Sequence, residues 1–276
     1  RNLQKSYSGF GLQNVSFCVP QGSIVGLIGE NGAGKTTTIK AILNLIDIEG
    51  GEISVLGSPT KISKRTREDI GVVFDDLSVS QLGKVMQGMY KRWDMALFKQ
   101  YCQRFSLDSK KRVGDLSKGM KMKLSITVAL SHQPRLLILD EATSGLDPVM
   151  RDEILSMFLD FIQDEERSIF FSSHIISDIE KIADYVILIH HGKIVFEEEK
   201  DNLIDRYGII RCERKQFTDI QPEDYIISRK TKVSVECLVR DKKIARRKYH
   251  NFVVDSASLE EIMLFYIKED FEEGKD

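Results

Sequence analysis

A glycine-rich segment near the amino end carries the strongest chemical signal in the sequence. It fits the pattern G-x-x-x-x-G-K-[ST] and lies between an apolar run and an amphipathic one, which predicts strand, loop and helix. Glycines let successive backbone N–H groups turn inward on phosphate oxygens, and the helix N-terminus adds the positive end of its dipole. We expect this loop to bind nucleotide phosphates through Gly29, Glu30, Asn31, Gly32, Ala33, Gly34, Lys35, Thr36 and Thr37.

Two side chains of this loop have distinct expected roles. The Lys35 ammonium would reach the β- and γ-phosphates, and the Thr36 hydroxyl would ligate Mg²⁺. The alternative is a glycine-rich turn that binds nothing. The strand and helix flanks favour the phosphate loop.

An acidic pair gives a second, independent signal. Four apolar residues, 136–139, are followed directly by Asp140 and Glu141. At the carboxyl end of a parallel strand, Asp140 would hold Mg²⁺ at the same sheet edge as the phosphate loop. Glu141 would accept a proton from an attacking water. An Asp-Glu pair alone is also typical of an ordinary polar strand end, but the phosphate loop upstream favours the catalytic interpretation.

Three further motifs complete a set that occurs in one known family. They are Leu116-Ser117-Lys118-Gly119-Met120, Ser144-Gly145-Leu146-Asp147 and Ser173-His174. With the phosphate loop and the acidic pair, they resemble the ABC ATPases in order and separation, over about residues 3 to 207. The resemblance implies a P-loop NTPase that binds ATP and Mg²⁺ and hydrolyses ATP.

The resemblance also implies roles for single residues. Ser117 and Gly119 would face the γ-phosphate held by a second subunit, so that hydrolysis requires a head-to-tail homodimer or heterodimer. Asp147 would cross that interface beside the opposite phosphate loop. His174 would contact the γ-phosphate, and Tyr7 would stack on adenine. Taken singly, Ser117 is also typical of a helix N-cap, and Tyr7 of a ring that covers a sheet edge.

The sequence departs from the family pattern at a metal-binding position. Most members have a glutamine after the strand that matches residues 70–74, where it touches Mg²⁺; here the residue is Asp75. A carboxylate ligates Mg²⁺ at least as well as an amide, so we expect Asp75 to join Thr36 and Asp140. The signature has Lys118 and Met120 in place of glycine and glutamine. This combination resembles a bacterial branch that works with separate permease chains in drug, antibiotic-peptide or other exporters.

The elements that must position these residues alternate along the chain, which predicts an α/β fold with a mostly parallel sheet. An antiparallel N-terminal β-subdomain precedes the sheet, and a helical subdomain is inserted at about 76–132. Expected strands are 14–19, 23–28, 52–56, 70–74, 135–139, 168–171, 185–189 and 192–196. Expected helices are 35–45, 148–164 and 175–182.

Composition changes at about residue 205. We expect an ATP-binding domain over 1–207 and a small α+β domain over 208–276, with strands at 225–227 and 232–239 and a final helix capped by Ser258 and Glu261. Basic residues are concentrated between Arg211 and Lys248. A solvated basic face explains them more simply than contact with lipid headgroups, the permease or nucleic acid.

Composition limits the function classes. Of 276 residues, 42% are hydrophobic and 30% are charged, and the net charge is −2, which gives no global field for nucleic acid as the main partner. The longest apolar runs fall far short of the roughly 20 residues that span a bilayer. The four cysteines lie far apart, without CxxC spacing. Because the sequence begins at Arg1, without methionine or a signal-peptide pattern, we expect that a few initial residues are missing.

Three functions are open at this stage. The first is the ATPase subunit of an exporter, at the cytoplasmic face of a bacterial membrane, with the permease docked near residues 76–112. The second is a soluble ABC ATPase that acts on ribosomes or DNA, although such proteins usually carry two cassettes or a long coiled coil. The third is another P-loop enzyme, which would leave the Leu116–Gly119 and Ser144–Asp147 motifs unexplained.

Overall fold

The computed structural model of the protein describes residues 1–59, 77–230 and 234–268. The chain opens with an antiparallel hairpin of β1 (Leu3–Tyr7) and β2 (Phe10–Val15). The strand expected at 14–19 is thus observed earlier in the chain, at Phe10–Val15. Asn14 has a φ of 53°, which turns the backbone near the end of β2. A two-stranded ribbon of β4 (Ser54–Val55) and β5 (Ser58–Pro59) follows later in the chain.

A five-stranded sheet forms the centre of the fold. It contains β3 (Ile24–Ile28), β6 (Leu136–Leu139), β7 (Ser168–Ser173), β8 (Tyr185–His190) and β9 (Lys193–Glu199), in the order β6-β7-β3-β8-β9. All neighbours are parallel except β8 and β9. Every residue of β3 is buried, as expected for a strand covered on both faces. The α/β prediction is thus confirmed.

Seven helices accompany this sheet in the described part of the chain. They are α1 (Lys35–Ile42), α2 (Val79–Met89), α3 (Met95–Arg104), α4 (Lys118–Ser131), α5 (Pro148–Phe161), α6 (Ile176–Ile182) and α7 (Lys200–Arg206). Both α1 and α5 end three residues earlier than expected. Asn44 has a φ of 51°, which is incompatible with continuing α1. Among the described residues, no helix is both long and apolar enough to cross a bilayer.

Helices α2 to α4 pack around a shared apolar core and form the helical insertion. The α2 helix starts with a capping box in which Ser78 accepts from the Gln81 N–H and the Gln81 side chain accepts from the Ser78 N–H. Trp93 lies in the connection between α2 and α3, where its ring centroid is 5.2 Å from that of Phe98. The expected strand at 70–74 and Asp75 lie outside the described residues.

A second, antiparallel sheet follows the central one. Its strands are β10 (Gly208–Glu213), β11 (Ile227–Lys230), β12 (Ser234–Val239) and β13 (Val253–Ser256), in the order β11-β12-β10-β13. The strand expected at 225–227 thus begins only at Ile227. Two helices pack on the sheet, α8 (Lys242–Lys248) and α9 (Leu259–Lys268). Ser258 and Glu261 form the expected reciprocal cap of α9.

One arginine joins three elements of this second sheet to α9. On β10, Arg211 pairs with Glu236 of β12 (3.2 Å), with Asp255 of β13 and with Glu261 of α9 (3.0 Å). Glu236 also pairs with Arg229 at 2.7 Å. Hydrogen bonds from Arg229 and Arg211 lower the pKa of the Glu236 carboxyl despite its partial burial. These pairs fix α9 against the sheet.

We expect Glu236→Gln to lower the free energy of unfolding by about 1–2 kcal/mol at pH 7, because it removes two charge-assisted hydrogen bonds. A carboxyl whose pKa is lowered in the folded state stabilises the fold at pH values above its unfolded pKa of about 4.3. This stabilisation is lost as the pH falls through the folded-state pKa. The deficit should therefore be smaller at pH 3 than at pH 7. Urea denaturation at both pH values measures it, with the exposed Glu165→Gln as the control; an equal deficit at both pH values would contradict the ionic origin.

Candidate nucleotide site

An open cleft of about 780 Å³ lies where the strands of the central sheet meet the phosphate loop. This volume is within the usual range for small-molecule sites. Nearly all of the expected phosphate loop lines the cleft, together with side chains from four other segments. The lining residues are Gly9, Phe10, Glu30, Asn31, Gly32, Ala33, Gly34, Lys35, Thr36, Thr37, Glu141, Ser144, His174, His190 and His191.

The phosphate loop adopts a conformation that its glycines make possible. Gly34, at the N-cap of α1, has a φ of 115°, which side-chain-bearing residues rarely adopt. Gly29 packs so closely on β8 that an added Cβ would lie 2.4 Å from the Ile189 carbonyl oxygen. The Ala33 carbonyl is bound in turn by the Gly192 N–H at 2.9 Å. The loop is thus built against the end of β8, as an anion-binding turn before a helix requires.

Lys35 lies inside this loop, with only 5% of its side chain exposed. Its ammonium donates to the carbonyl oxygens of Gly29 (2.8 Å) and Glu30 (3.1 Å) and lies 3.3 Å from Glu141 Oε1. A buried ammonium requires such partners, and phosphate oxygens are stronger ones. The cation is therefore held at the place where the pattern G-x-x-x-x-G-K-[ST] needs it.

Glu141 joins three segments of the site. Its carboxylate bridges Lys35 and the His174 ring, whose Nδ1 is 2.5 Å from Oε2. Its backbone has a φ of 51°, a left-handed conformation that is uncommon for a glutamate and costs about 1 kcal/mol or more. Such strain concentrates at functional sites. A carboxylate oriented by a histidine, with the Lys35 ammonium beside it, is suited to accept a proton from water.

Ser172, which sequence analysis missed, holds the acidic pair in place. Its hydroxyl, fully buried at the end of β7, donates to Asp140 Oδ1 (2.6 Å) and accepts from the Glu141 N–H (3.0 Å). The parallel register sets Leu139 beside Phe171, so Asp140, directly after β6, comes next to Ser172 of β7. The available signal was a hydroxyl directly after the strand expected at 168–171, in the run Phe171-Ser172-Ser173-His174.

We expect Ser172→Ala to reduce ATP turnover by about 10-fold, because it removes the hydrogen bond that orients Asp140, the carboxylate expected to bind Mg²⁺. Ser168→Ala is the matched control, since this buried hydroxyl lies at the opposite end of β7 and bonds the Pro20 carbonyl. Steady-state phosphate release measures both variants. Equal turnover in the two would remove the positioning role of Ser172.

Several expected site residues lie outside the cleft. Gly9 and Phe10 of the first hairpin line it, whereas Tyr7 is 47% exposed with the Lys5 ammonium 5.4 Å from its ring centroid. Ser117 caps α4 by accepting from the Met120 N–H (3.3 Å), and Asp147 caps α5 by accepting from the Met150 N–H (3.0 Å). The roles of these residues, and of Gly119, in a second subunit stay predictions, as does the metal role of Asp75.

Two histidines of the cleft were also missed. His190 ends β8, and His191 follows it in the turn to β9. Because the carboxyl ends of parallel strands share one sheet edge, the position of this histidine pair, directly after the strand expected at 185–189, predicts that both rings lie near the phosphate loop.

Comparison with known proteins identifies the class. A model of the ABC transporter family matches residues 12–144. The chain is similar to the bacitracin transport ATP-binding protein BcrA of Bacillus licheniformis, with 37% identity over 218 residues that cover 74% of this chain and 70% of the relative. It is also similar to the lantibiotic transport ATP-binding protein SrtF of Streptococcus pyogenes, with 35% identity over 73% of this chain and 90% of the relative.

A solved ATP-binding subunit of an ABC transporter superposes with a TM-score of 0.66 at 27% identity, over 79% of this chain and 92% of that one. The mostly parallel sheet, the phosphate loop and the Lys35–Glu141–His174 cluster define a P-loop nucleotide hydrolase. Within that class, the chain belongs to the family of ABC transporter ATP-binding proteins. It binds ATP and hydrolyses it.

Proposed function

We propose that this chain is the ATP-hydrolysing subunit of a bacterial exporter, located at the cytoplasmic face of the membrane and bound to a separate permease chain. The observation that carries this proposal is the similarity to proteins named for bacitracin and lantibiotic transport, which spans about three quarters of the chain. ATP bound in the cleft supplies the free energy, and the permease carries the cargo. Transport direction and cargo chemistry follow the permease.

The proposed phosphate and metal contacts follow from the cleft. Lys35 exchanges the carbonyls of Gly29 and Glu30 for the β- and γ-phosphates. The Thr36 hydroxyl and the Asp140 carboxylate are both exposed oxygen donors, which is the donor type that Mg²⁺ prefers. Held by these oxygens, Mg²⁺ would supply positive charge that neutralises the phosphate oxygens. Asp75 is the third proposed ligand, although it lies outside the described residues.

Glu141 acts as the general base in this proposal. Support comes from its carboxylate, which is 25% exposed and therefore open to water while it stays bonded to His174. The imidazole orients the carboxylate and contacts the γ-phosphate through the rest of the ring. Such a base typically contributes about 10²–10⁴-fold to the rate.

The working ATPase is proposed to be a dimer, made either of two copies or of this chain and a related one. Ser117 and Gly119 begin α4 and present its positive N-terminal end to the γ-phosphate of the partner. Asp147 lies at the exposed start of α5, where it would meet the opposite phosphate loop. Tyr7, on the hairpin that borders the cleft, stacks on adenine.

Two further regions have proposed roles. The helical subdomain of about 76–132 receives the permease near residues 76–112. Residues 208–276 form an accessory domain that braces the ATP-binding domain of 1–207. The packing of α9 supports this, since Ile262 and Phe265 share a buried core with α6 and the Tyr207 ring.

Copurification tests the transporter assignment. A tagged chain is purified from detergent-solubilised cells of its own source, and its partners are identified by mass spectrometry. We expect a stoichiometric protein with several membrane spans. Stoichiometric ribosomal or DNA-repair proteins, with no membrane protein, would overturn the assignment in favour of a soluble ABC ATPase.

A further inference from the structure

A buried carboxylate lies between the two helices that follow the catalytic loops. Asp178, in the first turn of α6, is 2% exposed, and its Oδ1 is 4.0 Å from Arg151 Nε of α5. Neither Asp178 Oδ2 nor Arg151 Nε has a hydrogen-bond partner among the described residues. The guanidinium is thus the charge that compensates this buried carboxylate.

The same guanidinium reaches the loop before α5. Arg151 Nη2 donates to the Leu146 carbonyl oxygen at 3.3 Å, directly before Asp147. On the other side, Asp178 is four residues beyond His174, whose ring bonds Glu141. One arginine therefore connects the backbone of the Ser144–Asp147 loop to α6, the helix that begins two residues after His174 of the catalytic cluster.

A second ion pair joins the same two helices but has a different environment. Asp152 of α5 pairs with Lys181 of α6, and the two side chains are 63% and 43% exposed. Exposed pairs contribute little because water and salt screen them. Only the buried pair contacts the Ser144–Asp147 loop, which makes the exposed pair a natural control.

We propose that Arg151 and Asp178 are a positioning pair that sets the Ser144–Asp147 loop relative to His174. When His174 moves to contact the γ-phosphate, the start of α6 moves as well. Because Asp178 of α6 is paired with Arg151, this movement shifts Arg151 and the Leu146 carbonyl to which Arg151 donates. The position of the Ser144–Asp147 loop, which faces the second subunit, therefore depends on which nucleotide is bound in the cleft. This proposal rests on the roles proposed above for His174 and Asp147.

Asp178→Asn is the informative variant, because it removes the charge without leaving an unpaired buried carboxylate. Arg151, with 27% of its side chain exposed, is then solvated by water. We expect kcat to fall about 10-fold, the KM for ATP to change less than about 2-fold, and the thermal midpoint to stay within about 3 °C of the wild type. Lys181→Gln should keep wild-type kcat.

A double-mutant cycle with Asp147→Ser separates positioning from general weakening, because serine keeps the α5 cap while it removes the carboxylate. If Asp178 acts through Asp147, adding Asp178→Asn to Asp147→Ser costs less than about 2-fold. Unchanged kcat in Asp178→Asn, or an equal loss in both backgrounds, would overturn the inference. Wild-type kcat in Asp147→Ser would instead refute the role proposed for Asp147.

Discussion

Glu141→Gln is expected to abolish ATP turnover while ATP binding persists. Glutamine keeps the shape of the side chain and can still meet the His174 ring, but it cannot accept a proton from water. We expect phosphate release to fall by about 10²–10⁴-fold, the range for a lost general base. Because bound ATP then persists, the dimer that it closes should accumulate.

Two measurements test the prediction for Glu141→Gln. Steady-state phosphate release gives turnover, and light scattering after gel filtration, with and without MgATP, gives the dimer fraction. The exposed Glu165→Gln controls for the amide change and should behave as the wild type. Turnover near the wild-type rate in Glu141→Gln would assign the base to another residue.

Lys35→Ala is expected to weaken ATP binding as well as to slow ATP hydrolysis. The ammonium is buried among loop carbonyls, so its removal takes away the main positive charge that the cleft offers to phosphates. A hydrogen bond to a charged group contributes about 1.5–3 kcal/mol, which corresponds to about a 10–100-fold loss of ATP affinity. Turnover should fall at least as far.

Equilibrium titration with a fluorescent ATP analogue measures this loss. Lys40→Ala is the matched control, since this lysine lies on α1 as well but is exposed and outside the cleft. It should retain wild-type affinity. If Lys35→Ala bound ATP as tightly as the control, the phosphate role of Lys35 would be wrong.

The local sequence pattern was sufficient to predict the strands of the central sheet and most of the phosphate site. The strands around Ile24–Ile28 and Leu136–Leu139 are continuous apolar runs bounded by turn residues, a signal that depends on few neighbours. The glycine spacing of the phosphate loop similarly encodes its own conformation. These features were predicted within a few residues of their observed bounds.

Features that depend on neighbours in space were missed. Ser172 orients the acidic pair only because β7 lies beside β6 in one register, and no local signal encodes that pairing. The left-handed backbone conformation of Glu141 could not be predicted, because glycine and asparagine are the residues typical of that conformation and position 141 is a glutamate. The α8 helix buries one residue, Ala245, so it has no apolar periodicity. Consecutive residues of β10, from Gly208 to Ile210, are buried, so this strand shows no alternation of apolar and polar residues.

The proposed mechanism requires an ATP site completed by two subunits. Mixing two inactive variants, Lys35→Ala and Ser117→Ala, tests this claim most directly. In a mixed dimer, one of the two sites combines an intact phosphate loop with an intact signature. Random exchange of equal amounts should therefore restore up to about a quarter of the wild-type turnover, while each variant alone stays near background. Turnover that stays at background after mixing would contradict a site shared between two copies of this chain.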